Sequence, residues 1–317
     1  MAKKLPLVTP EGYRKLTTFE SLAYQYAWRG WRGSQFLWSL ISKFSPQGFY
    51  SGARVLLLPS GLKIRQKTKD WTNRTICQGT YERALLHLLN SLKLDDLVID
   101  VGANIGITLW HSLKNSSLNS TYFAFEPSVQ CVGDLEFTAT QILNKGKIFK
   151  FALGESDTTK ELYGVNNEKH SGLASLLKRN NQVGDSQIVE VRKLDTVLDS
   201  EKANGVVSLL KIDTEGYEGA VLSGAHNLLR SKNVEIIILE VSPNLSDVTY
   251  LDALNVLLGK TYIWFAIEEI GLIRRYPTLR KISHMEATKI EFQFNLAIIR
   301  SDRFEEYARS GRSIKFS

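Results

Sequence analysis

Residues 98–106 read VIDVGANIG. An apolar run closes on an acid, Asp100, and passes at once into a turn carrying Gly102 and Gly106, after which helical spacing begins. Valine and isoleucine without polar alternation indicate a strand covered on both faces, as parallel strands are. The glycines let the backbone bend sharply and approach a ligand closely. Strand, glycine turn and helix in that order put the turn at the carboxyl edge of a parallel sheet, where open α/β proteins bind their ligands. The dinucleotide fingerprint GxGxxG is not met, because Asn104 stands where its second glycine would be. Asp100 at the strand end also suits a cation better than a pyrophosphate.

Working outward, further apolar runs occupy Leu97–Val101, Tyr122–Phe125, Ile148–Leu153, Val206–Ile212, Val234–Val241, Tyr262–Ile267 and, near the end, Phe292–Ile299. Helical stretches separate them, which predicts an α/β doubly wound, mostly parallel sheet with right-handed crossovers. Residues 154–205 contain one strand-like piece, Ile188–Val191, and otherwise read as an insertion of the kind that builds substrate sites. Upstream, residues 17–45 have helical spacing with Phe19, Leu22, Tyr26, Trp28, Trp31, Phe36, Trp38 and Ile41, broken at Gly30 and Gly33. Residues 54–67 read as a β-hairpin around Pro59-Ser60-Gly61, and Tyr81–Leu92 as a leucine-faced helix. The chain thus divides into an N-terminal helical cap and β-hairpin extension (1–93), the α/β domain (94–300) and a basic C-terminal tail (301–317).

Of 317 residues, 43% are hydrophobic and 23% charged, which excludes wholesale disorder and fibrous repeats. The two cysteines, Cys77 and Cys131, have neither a CxxC spacing nor a nearby histidine, excluding a cysteine-rich zinc site or a disulfide scaffold. They fit a reducing cytosol. The longest apolar run, near Val234–Val241, falls far short of the roughly 20 residues a membrane span needs. The opening MAKKLPLVTPEGYRKL lacks the apolar core of a secretory signal. A cytoplasmic protein is expected. The net charge of +7 is uneven: residues 1–93 carry 15 Lys/Arg against 4 Asp/Glu, residues 94–270 carry 15 against 24, and residues 271–317 carry 10 against 5. An acidic middle between basic ends points to a cation at the centre and an anionic partner at an end, or to charge complementarity within one fold. Arg29, Arg32 and Lys43 among the tryptophans leave peripheral membrane contact open, although two helix breakers favour a packed cap.

The remaining acids gather at strand ends. Glu126 closes FAFEPS (123–128), 26 residues after Asp100, at the tip of the second strand, where an acid can accept both hydroxyls of a ribose. In LLKIDTEGYEGAVLSGA (209–225), Lys211 and Asp213 lie two apart on a strand and so face the same way. Asp213, Glu215 and Glu218 then crowd one strand-to-helix turn, and Glu240 ends the fifth strand at the same rim. Mutually repelling carboxylates suit a cation, a proton or a metal. Complementing a helix dipole would account for Glu215 and Glu218, but less well for Asp213.

Taken together, these motifs resemble the FkbM-type family of S-adenosylmethionine-dependent methyltransferases, over about residues 76–270. The resemblance rests on Gly79-Thr80-Tyr81-Glu82, VIDVGANIG, FEPS with FALGE (151–155), and KIDTEGYEGAVLSGA with Leu239-Glu240 beyond it. It implies a seven-stranded sheet in the order 3-2-1-4-5-7-6 with the final strand antiparallel, and S-adenosylmethionine as cofactor. The turn Gly102, Ala103, Asn104 and Gly106 would hold the methionine part, Glu126 with Pro127 and Ser128 the ribose, and Ala152 with Leu153 the adenine. Glu82, Asp100 and Asp213 complete the expected cofactor set. HSGLASL (170–176) is similar to a family loop near the acceptor.

By the same resemblance the reaction is a methyl transfer, in which aligning the reactants supplies much of the catalysis. An alcohol acceptor also needs a base. The candidates are Asp213, Glu215, Glu240 and His170, with Asp213 favoured for its place beside the methyl group. The same carboxylates could instead hold Mg²⁺ against the acceptor oxygen. The expected activity is O-methylation of a hydroxyl on a small molecule or glycan, with no nucleic acid involved. The alternatives are a nucleic-acid methyltransferase using the basic N-terminal region, and a non-catalytic binding module. Base-methylating enzymes usually carry a proline-aromatic motif where this chain has DTEG, and a scaffold needs none of the rim acids. A nicotinamide dehydrogenase is disfavoured by Asn104. The tryptophan-rich segment could lid the site, bind a sugar face or form a homodimer contact.

Overall fold

In the computed structural model, the described residues are 14–15, 18–33, 36–38, 40, 55–65, 70–142, 144–167, 169–179, 184–243, 247–270, 276–309 and 315–316. The part of the predicted N-terminal helical region beyond residue 40, including Ile41 and Lys43, lies outside them. In chain order the strands are β1 (Arg14–Lys15), β2 (Val55–Leu57), β3 (Lys63–Arg65), β4 (Leu97–Val101), β5 (Thr121–Phe125), β6 (Lys145–Phe149), β7 (Ala152–Leu153), β8 (Thr158–Val165), β9 (Asp185–Arg192), β10 (Val207–Ile212), β11 (Ile236–Val241), β12 (Tyr262–Ile270), β13 (Tyr276–Ile282), β14 (Phe294–Arg300) and β15 (Lys315–Phe316). The helices are α1 (Thr18–Trp28), α2 (Trp71–Gln78), α3 (Arg83–Ser91), α4 (Ile107–Leu113), α5 (Val129–Ala139), α6 (Leu194–Ser200), α7 (Glu218–Gly224), α8 (His226–Arg230), α9 (Tyr250–Leu258), α10 (His284–Ala287) and α11 (Ser301–Arg309).

Nine strands form the central sheet, in the order β15-β13-β12-β14-β11-β10-β4-β5-β6. Seven of them reproduce the expected order, with β14 antiparallel between β11 and β12. The expected count of seven is corrected by β13 and β15, which extend the β12 edge. The sequence hides β13 because YPTLRKI carries charges. On the sheet Arg280 pairs with Glu268 of β12 at 2.8 Å, and Leu279 and Ile282 turn inward.

Every residue of β4, β10 and β11 is buried, as continuous apolar strands covered on both faces require. One face packs on the leucines of α3, on α4 and α5, on the β2–β3 hairpin and on α1, in a single cluster. The other packs on α6 to α10. The N-terminal elements therefore share a core with the sheet. Trp28 of α1 stacks on His87 at 4.4 Å and on His111 at 5.5 Å, and its carbonyl accepts from Arg83 and His87. Gly30 and Gly33 adopt the positive φ values that stop the helix.

Two local expectations change. The predicted run Ile148–Leu153 is split: β6 ends at Phe149, and Ala152–Leu153 joins β8 and β9 in a separate three-stranded sheet. Between the pieces, Phe151 packs on the rings of Phe125 and Phe149. The predicted insertion contains β8 as well as β9. Its sequence, TTKELYGV, has a mostly exposed polar half and so lacks the signature of a buried strand. The chain between β8 and β9 forms a 3₁₀ turn at Ser171–Leu173, which comes to lie over the carboxyl edge of the central sheet.

Candidate active site

The carboxyl ends of β4, β5, β10 and β11 converge on one cavity of about 260 Å³. Its floor is the turn after β4. Gly102 and Ala103 donate their backbone N–H groups to the Phe125 carbonyl at 3.0 Å, fixing the turn against β5. Gly102, with φ +73°, is pressed against the backbone of Asp213. Asn104 and Glu82 have φ +49° and +32°, and Glu215 has +56°. These three non-glycine residues in the left-handed region all line the cavity, and strain of this kind collects at functional sites.

Glu126 lines the cavity from the end of β5. Its two carboxylate oxygens accept from the N–H groups of Asn104 and Ser128, each at 2.8 Å. Burial pushes it up to about 7, against the pull of those two hydrogen bonds. Pro127, Ala152 and Leu153 line the same end, as do Ala103 and Asn104. Three residues of the expected cofactor set stand behind the wall instead. Asp100 is buried, with Oδ2 accepting from Thr108 at 2.7 Å. Gly106 faces Leu135 and Thr138 of α5, and Ser128 starts that helix.

At the opposite end lie Glu82, Asp213, Glu215 and Glu240, while His170 lines the cavity from the loop beside Trp71. One oxygen each from Glu82, Asp213 and Glu240 falls within 4.8 Å of the other two. Lys211, buried at 4% exposure, reaches Asp213 at 3.2 Å, Asp100 at 3.4 Å and the Gly102 carbonyl at 3.2 Å. Burial alone would depress the ammonium, but the charges of Asp213 and Asp100 outweigh it and raise it. Arg179 reaches Glu215 at 3.2 Å. Glu240 accepts from Gln293 through one oxygen, while its Oε2 and that of Glu82 are enclosed with no hydrogen-bond partner. Burial, then the charge of Asp213, pushes Glu82 up to about 8, Glu215 to about 7 and Glu240 to about 10. Glu218 is not part of this group. Its Oε1 accepts from the backbone of Thr214 and Gly216, closing the turn before α7.

Sequence reasoning did not find the clasp at the mouth. Asp70 caps α2 by accepting from Asn73 N–H with Oδ1, and holds the 3₁₀ turn by accepting from Ser171 N–H with Oδ2, both at 2.8 Å. Trp71 N–H donates to the Lys169 carbonyl, and the Trp71 ring faces His170 at 6.5 Å. Trp71 and Leu173 are exposed at the rim. Asp70 and Ser171 are 101 residues apart, so no local spacing announces them. Gln293 is likewise hidden, 53 residues from Glu240.

The Methyltransferase FkbM domain model matches residues 100–265, more than half of the chain. The chain belongs to the FkbM methyltransferase family. A comparison with curated proteins finds no match. Among solved structures, the methyltransferase is similar to a precorrin-6y C5,15-methyltransferase from Geobacter metallireducens, at 11% identity over 70% of this chain and 89% of that one, with a TM-score of 0.36. It is similar also to the CurJ carbon methyltransferase, at 10% identity over 89% of this chain and 67% of that one, with a TM-score of 0.34.

The family's cofactor is S-adenosylmethionine, and the cavity fits it. Asn104 Oδ1 is an enclosed acceptor without a partner, and the carboxylates outnumber the two cations beside them, which suits a positively charged ligand. No helix among the described residues is long and apolar enough to cross a membrane.

Proposed function

We propose that this methyltransferase transfers a methyl group to a hydroxyl of a small molecule or glycan. The observation that carries this reading is the pair of enclosed, unpartnered carboxyl oxygens of Glu82 and Glu240 at the inner end of the cavity. A hydroxyl is a poor nucleophile until its proton has somewhere to go, and a carboxyl oxygen with no other partner offers it a place.

The cofactor, when bound, supplies an electrophilic methyl group on a positively charged sulfur. The chain's own residues do the rest. The turn at Gly102–Asn104, with Glu126, Ala152 and Leu153, would hold and orient it. Asp213 is tied to Lys211 at the inner end, while Glu82, Glu215 and Glu240 stand ready to take the acceptor's proton. The mouth between Trp71 and Leu173 admits the acceptor, and Trp71 offers a flat apolar face to a ring. Among the described residues, clustering of acids is the one feature bearing on Mg²⁺, and Lys211 together with the cofactor's positive charge already accounts for it.

The test is incubation with methyl-labelled S-adenosylmethionine and panels of sugars, polyols, phenols and oligonucleotides. Label recovered as an alkali-stable methyl ether supports the reading. Label in an oligonucleotide base, or in an alkali-labile ester, would overturn it.

A further inference from the structure

The inner acids are unevenly supplied with countercharge. Five carboxyl groups, those of Glu82, Asp100, Asp213, Glu215 and Glu240, meet here. Lys211 serves Asp213 and Asp100, and Arg179 serves Glu215. Among the described residues, no cation lies within ion-pair distance of Glu82 or Glu240. Both nonetheless have an oxygen enclosed without a partner, and Glu240 is only 5% exposed. Glu82 is held there by a left-handed backbone at the start of α3, a conformation a glutamate adopts only under constraint. The other groups facing the pair are Tyr81 beside Glu82 and Gln293 ahead of β14.

We propose that Glu82 and Glu240 jointly hold an exchangeable proton, which leaves when the positively charged cofactor fills the cavity and is restored from the acceptor hydroxyl during transfer. Two carboxylates in one enclosed site cannot both ionise without a cation, and the sulfonium is such a cation. Values of about 8 and about 10 for the two side chains in the ligand-free protein agree with this.

The proposal rests on the hydroxyl reading for the source of the returning proton. As the acceptor oxygen's lone pair forms the bond to carbon, the carbon–sulfur pair stays on sulfur. The O–H pair stays on oxygen, and the proton passes to the glutamate pair. The cavity loses one positive and one negative charge together, so its net charge is unchanged by the reaction. The product, S-adenosylhomocysteine, then sits beside a pair that has regained its proton and carries one negative charge fewer than the pair that faced the sulfonium. The pair thus distinguishes spent from fresh cofactor by charge.

The experiment is titration calorimetry of S-adenosylmethionine and of S-adenosylhomocysteine near pH 7, with EDTA present, in phosphate and in Tris. The difference in heat between the buffers counts protons released. Wild type is expected to release about one proton more with S-adenosylmethionine than with S-adenosylhomocysteine, and Glu82→Gln and Glu240→Gln to lose at least half of that excess. Ionisation of the ligands themselves is common to wild type and variants and cancels between them. No excess in wild type, a result that needs no variant, would overturn the proposal, as would the full excess in both variants. Failure of the hydroxyl reading would appear in the acceptor panel alone and leave the proton count standing.

Discussion

The Cα of Gly102 faces the Asp213 carbonyl so closely that a Cβ there would lie 1.8 Å from its oxygen. No side chain fits that gap without parting the turn after β4 from the end of β10. The position also has φ +73°, which an alanine tolerates poorly. Gly102→Ala should therefore destabilise the protein by more than about 2 kcal/mol and abolish cofactor binding. Thermal melts and calorimetry with S-adenosylhomocysteine check both. A stable variant that still binds would show the turn to be looser than this contact implies.

Lys211 is the single ammonium bridging Asp100, Asp213 and the Gly102 carbonyl. Lys211→Met leaves two enclosed carboxylates without a cation. A loss on the order of 3–5 kcal/mol is expected in urea unfolding, insensitive to added salt because the pairs are enclosed. The double variant Asp100→Asn with Lys211→Met should recover part of that loss.

Asp70 has two jobs on two oxygens, and they can be separated. Asp70→Asn keeps an acceptor for the α2 cap but turns an N–H₂ toward the Ser171 N–H, setting donor against donor. Hydrogen exchange read by mass spectrometry should quicken at residues 169–173 while α2 stays protected. Asp70→Ala should expose both segments, and equal protection in the two variants would argue that the second bond holds nothing.

Above about pH 7.5, past the range in which an unfolded chain's histidines release their protons, the raised glutamates set the slope of stability. Between the ordinary glutamate value and about 8 for Glu82, or about 10 for Glu240, the native protein keeps protons that the unfolded chain has released. Stability of the ligand-free protein should fall as pH climbs from about 7.5 to 9. Glu240→Gln should flatten that fall, and a melting temperature that rises across the interval in wild type would contradict the assignment.

Much of this site could be read from the chain because parallel strands deliver their last residues to one rim. Glu126, Asp213 and Glu240 each end an apolar run, and the sheet brings all three to one cavity. Asp100 ends such a run too, yet its side chain turns away toward Thr108 and Lys211, a difference of direction that strand position does not convey. The resemblance placed Glu82 and Asp213 with the cofactor set, and the fold brings an oxygen of each within 4.8 Å of one of Glu240. The clasp of Asp70 on Ser171 was illegible because it joins distant segments through one backbone N–H, a donor that every residue but proline offers. β8 and β13 escaped because partly exposed strands carry polar side chains that blur the apolar signal.

The placement of β14 bears on how the molecule is made. This strand, residues 294–300, is inserted between two neighbours that precede it in the chain, and β12 reaches the rest of the sheet only through it. During synthesis β11 therefore waits with an open hydrogen-bonding flank for some fifty residues, and the sheet cannot close until residue 300 has left the ribosome. A fragment trimmed to residues 100–265 would keep that flank bare for good and would be expected to self-associate.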